Sequence, residues 1–124
     1  MTVASTAGKY PVRSPHRELI PYCVSFTGAN GANPTATNTV DEAKLISTLA
    51  RTSEGLYAMT FKVGWKKVYA HCNVRSVDPT QRACVSSLTE GNSSSSVINV
   101  STFWGGAVDD LNAVRVDVML WLQR

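Results

Sequence analysis

VRVDVMLWL, residues 114–122, is the stretch that decides the fold. Val114, Val116, Val118, Leu120 and Leu122 fall on one side of an extended chain. Arg115, Asp117, Met119 and Trp121 fall on the other. Strict alternation of period two predicts a strand with one face on a core. The second face is unusual, because Met119 and Trp121 are large and apolar. Two readings of it stay open: an interface, or a central strand buried on both faces.

The same period recurs upstream. Residues 21–27 (PYCVSFT) place Tyr22, Val24 and Phe26 on one face. Residues 55–63 (GLYAMTFKV) do so with Tyr57, Met59, Phe61 and Val63. Residues 67–75 (KVYAHCNVR) put Val68, Ala70, Cys72 and Val74 inward and Lys67, Tyr69, His71, Asn73 and Arg75 outward. With Gly64-Trp65-Lys66 as a turn, the last two runs predict a hairpin. Residues 81–88 and 97–104 are further strands, separated by the polar tip 89–96 (TEGNSSSS). Residues 41–51 (DEAKLISTLAR) allow a short helix from Asp41, but alternation favours a strand over 45–50. Residues 107–113 (AVDDLNA) suggest one helical turn. Residues 28–39 (GANGANPTATNT) are small, polar and turn-forming, and predict a long exposed loop. About seven strands with almost no helix predict an all-β fold, an antiparallel β-sandwich or barrel-like domain.

Residues 1–20 differ from all of this and form an extended N-terminal arm ahead of a β-domain at 21–124. MTVASTAGKYPVRSPHRELI is polar and basic with prolines at Pro11 and Pro15. Ordering it would cost on the order of 20–40 kcal/mol, at roughly 1–2 kcal/mol per residue. Val3, Tyr10, Val12, Leu19 and Ile20 are the few large apolar groups that offset this, so the arm is expected to order against its own domain or a partner. Proline keeps such a segment extended, and Arg13 and Arg17 can fork onto carboxylates. Tyr10, Arg13, His16 and Arg17, with Trp104, Met119 and Trp121, are the candidate partner-binding residues.

Composition narrows the function classes. The 124 residues are only 17% charged, below the usual quarter, so more surface than normal is uncharged or held in contacts. The net charge is +3, and Lys9, Arg13 and Arg17 against Glu18 place +2 of it in the arm. That is too little for a nucleic-acid-binding face. No run approaches the ~18 apolar residues of a membrane span. No apolar signal-peptide core opens the chain, which predicts synthesis in a host cytoplasm without standard export. The sequons at Asn92 and Asn99 therefore carry no weight. Cys23, Cys72 and Cys84 are an odd set without metal-ligand spacing and are expected to be free structural thiols, a Cys72–Cys84 bridge being the minor option.

No catalytic constellation stands out. His71 faces outward without a marked nucleophile or orienting carboxylate. Asp109 and Asp110 are adjacent and so diverge, which suits a helix start better than paired acid–base work. No glycine pattern cradles a phosphate. A non-enzymatic protein without cofactor or metal is expected.

Taken together, RSPHRELIPY (13–22), TSEGLYAMTF (52–61) and DLNAVRVDVMLWL (110–122) resemble short β-rich structural proteins of tailed-phage virions, the capsid decoration or cement proteins. The resemblance implies a domain on the capsid surface that bridges major capsid subunits, often as a trimer, with no catalytic residues. Multivalent attachment then makes modest individual affinities sufficient. The alternative is a receptor- or glycan-binding domain of a tail fibre, using the loops 28–39 and 89–96 and the rings of Trp65, Tyr69 and Trp104.

Overall fold

The run at 114–122 becomes the centre of a sheet. In the computed structural model, which describes residues 19–90 and 95–123, nine strands form. They are β1 (Ile20–Thr27), β2 (Thr39–Val40), β3 (Ile46–Ser53), β4 (Leu56–Phe61), β5 (Lys67–Arg75), β6 (Gln81–Thr89), β7 (Val97–Trp104), β8 (Ala107–Val108) and β9 (Arg115–Gln123). Seven are long, and β2 and β8 are two-residue ladders. One sheet has the order β2-β1-β9-β5, the other β3-β4-β7-β6 with β8 added to β7. Every pairing is antiparallel. The protein is an all-β sandwich.

The inward rows build the core between the sheets. Val24 and Phe26 of β1, Tyr57, Met59 and Phe61 of β4, Ile98 and Val100 of β7, and Val116, Val118, Leu120 and Leu122 of β9 are all buried. Each such side chain contributes about 1.5–3 kcal/mol by leaving water. Phe26 and Tyr57 meet across the sheets with ring centroids 5.2 Å apart.

Several sequence expectations need correction. The expected hairpin of residues 55–63 with 67–75 does not form: β4 and β5 lie in different sheets. Trp65 is the reason. It is only 4% exposed and packs edge-on against Phe61 at 6.4 Å. Its backbone N–H donates to Ser96 Oγ at 2.8 Å. Burying this ring draws the chain across the core, so residues 64–66 are a crossover rather than a turn. Val63 lies beyond the end of β4 and is exposed. The hairpin that does form joins β3 to β4 at Glu54-Gly55. Gly55 has φ +69°, and a Cβ there would lie 2.4 Å from Val108 Cγ1, so only glycine fits.

Residues 107–113 contain no helical turn. They form β8 and then a loop in which Leu111 and Ala113 take positive φ. Asp109 therefore caps no helix; its carboxylate accepts the Leu111 N–H instead. β3 runs to Ser53, with register shifts between Ile46 and Thr48 and between Arg51 and Ser53. β1 opens at Ile20, one residue inside the expected arm, and Val114 lies just outside β9. Cys23, Cys72 and Cys84 are free, as expected, but only Cys72 is buried. Burial pushes its thiol up to about 12.

Candidate functional site

β9 is a central strand, with β1 and β5 on its two sides. Its inner face is sealed and its outer face is not. The reading of a strand buried on both faces therefore fails for its outer end. The paired registers lay out the outer face in rows: Pro21–Trp121–Tyr69, then Cys23–Met119–His71, then Ser25–Asp117–Asn73. Trp121 is 41% exposed and Tyr69 42%. Pro21, Cys23 and His71 are exposed, and Met119 is half-buried. A shallow hollow of about 370 Å³ runs along Pro21, Cys23, Met119 and Trp121.

The third row ends the apolar part. Asp117 is buried, accepting the Ser25 hydroxyl at 2.5 Å and both Nε and Nη2 of Arg75 at 2.8 Å. The Arg75 fork holds its carboxyl down at about 2, against the opposing effect of burial, with Ser25 adding to the fork. Arg115 turns away toward Thr27 Oγ1 and the Asn38 carbonyl. The face thus combines an uncharged aromatic end with an internally neutralised ionic end. Large exposed apolar side chains grouped this way mark a contact surface.

The remaining candidate residues do not join this face. Trp104 is 51% exposed and its Nε1–H donates to Asp78 Oδ2 at 3.0 Å. It pairs with Gln81 in the other sheet, just past the corner that follows Arg75, whereas Trp121 sits at the opposite end of β9. Tyr10, Arg13, His16 and Arg17 lie outside the described residues. Of the rings assigned to the glycan alternative, Trp65 is buried in the core, and Tyr69 and Trp104 belong to different sheets.

Sequence reasoning missed a second cluster, around Asp110. This carboxylate is 3% exposed and gathers Arg51 Nε at 2.9 Å and the backbone N–H groups of Gly31 at 2.9 Å and Gly55 at 2.8 Å. The Tyr57 hydroxyl donates to the Asp110 carbonyl at 3.0 Å. Arg51, chiefly, holds the Asp110 carboxyl at about 2 against burial. Burial pushes the Tyr57 phenol up to about 12. Such a saturated carboxylate has no spare lone pair for proton transfer, so the cluster ties three loops together rather than doing chemistry. A smaller knot joins Tyr22, whose hydroxyl donates to Asp41, while Asp41 accepts the N–H groups of Leu45 and Ile46. Among the described residues, no group of three or more His, Cys, Asp or Glu is placed to hold a metal ion. No helix among them is long and apolar enough to cross a membrane.

Comparisons with known protein families, curated proteins and solved structures each returned no match.

Proposed function

We propose that this chain is a structural virion protein that decorates and stabilises a phage capsid by bridging major capsid subunits, working as an oligomer. The observation that supports this most is the open outer face of β9, where Trp121, Met119 and Tyr69 crowd one uncharged end of a rigid sheet. A protein that must hold seams in a shell needs a stiff body and a broad contact surface. The sandwich, with its buried carboxylate ties at Asp110 and Asp117, supplies the first. The outer face and the basic arm with Tyr10, Arg13, His16 and Arg17 supply the second.

The test is co-sedimentation of the purified protein with capsid shells lacking it. The full chain is expected to pellet with the shells. Removal of residues 1–18, which stops short of β1, is expected to abolish pelleting while the far-ultraviolet β signal stays. Unchanged pelleting of that truncation overturns the clamp. Immunogold labelling of intact particles separates the classes: even labelling of heads supports decoration, and labelling confined to tail tips assigns the protein to a fibre.

A further inference from the structure

We infer that the outer face of the β1–β9–β5 layer is a contact between two copies of this chain, related by a two-fold axis that runs along β9. The inference uses the same face as the proposed function but does not depend on a virion role.

Charge narrows the occupant. Pro21, Cys23, Met119, Trp121, Tyr69 and His71 bring no fixed charge to the first two rows, and Asp117 is already matched by Arg75. A strongly acidic or basic partner would find nothing to pair with. A second identical face meets no like-charge repulsion. Three strands about 4.8 Å apart and nine residues long, widened by their side chains, present on the order of 450–600 Å² per copy. Two copies then cover roughly 1,000 Å², the lower bound for a specific interface. Sheets also stack face to face in sandwiches, about 10 Å apart.

The unequal ends of the face select the axis. An axis across the strands would press Trp121 of one copy onto Asp117 and Arg75 of the other, removing water from an ion pair under an indole. An axis along β9 lays each row on itself. Trp121 then meets Trp121 and Met119 meets Met119 of the other copy. Because β1 and β5 flank β9, Pro21 of one copy lies opposite Tyr69 of the other, and Cys23 opposite His71. This is an isologous contact that closes at two copies.

The experiment uses the full chain in solution without capsid. Light scattering after gel filtration is expected to give twice the 13.4 kDa chain mass at about 100 μM protein. Trp121→Glu is expected to weaken the dimer at least ~100-fold, since a central buried Trp commonly dominates a contact. A second variant covers the case in which Trp121→Glu fails to fold. Met119→Cys, with Cys23→Ser and Cys84→Ser, is expected to form an inter-chain disulfide under mild oxidation, because position 119 lies on the axis. A Thr60→Cys variant in the same background, on the outer face of the other sheet, is expected not to. A monomer, a trimer, or equal cross-linking from positions 60 and 119 overturns the inference. So does a chain that dimerises only after residues 1–18 are removed, since that segment would then be what covers the face. Loss of capsid binding with the dimer intact counts against the proposed function alone.

Discussion

β9 has two faces drawn from one alternating run, and they are solved differently. The inner row, Val116, Val118, Leu120 and Leu122, is uniformly aliphatic and fully buried by the chain's own second sheet. The outer row, Arg115, Asp117, Met119 and Trp121, is mixed, and each member is handled singly. Arg115 reaches Asn38, Asp117 is forked by Arg75, and Trp121 is left in the open. A core is satisfied by volume and shape, which any well-sized apolar residue supplies. An outer face is satisfied by specific partners, and where the chain provides none, contact with another molecule is the remaining way to shield the ring.

The comparison breaks most sharply at neighbouring positions. Leu120→Ala is expected to cost 2–5 kcal/mol in urea unfolding, as for other buried Leu truncations. Trp121→Ala, measured in protein dilute enough to be monomeric, is expected to cost less than about 1 kcal/mol. Equal losses would make the outer face part of the chain's own core. The two carboxylates sharpen the contrast next. Asp110→Ala strands Arg51 and the Gly31 and Gly55 N–H groups in a buried site, and is expected to cost about 3 kcal/mol. Asp117→Ala releases the far more exposed Arg75 to water, and is expected to cost about 1 kcal/mol. Reversal of that order in thermal melts would refute the ranking.

The smallest effect is on acid stability. Asp110 and Asp117 are both held at about 2 when folded, against 3.8 for the free side chain. Their contribution is therefore present above the unfolded value and lost as pH falls through 4 toward 2. With solvent screening each is worth about 1 kcal/mol. Urea midpoints should be flat from pH 7 to 5 and drop below 4, and Asp110→Asn should flatten the drop. A midpoint already falling between pH 7 and 5 would point to other groups.

The seven long strands were legible because alternation is a local property, written into residues two apart. The crossing between sheets was not, because Gly64-Trp65-Lys66 reads as a turn until Trp65 is seen buried against Phe61. The Asp110 cluster was also invisible. Its carboxylate, with Arg51, Gly31 and Gly55, spans 79 residues of sequence, and no spacing rule links them. Met119 and Trp121 were half legible: the pattern pointed them outward, but only the sheet order shows that no strand covers them. The arm residues Tyr10, Arg13, His16 and Arg17 rest on sequence alone.

The two register shifts in β3 have a consequence for assembly. β3 is the last strand of its sheet, and a bulged, twisted border is a poor template for another chain's backbone. On the first sheet, β2 and the Tyr22–Asp41 knot crowd the margin beyond β1. Sheets that cannot be lengthened sideways do not grow into open ribbons. Copies are left to meet broadside, so particles built from this chain should have fixed stoichiometry and resist fibril formation even at high local concentration.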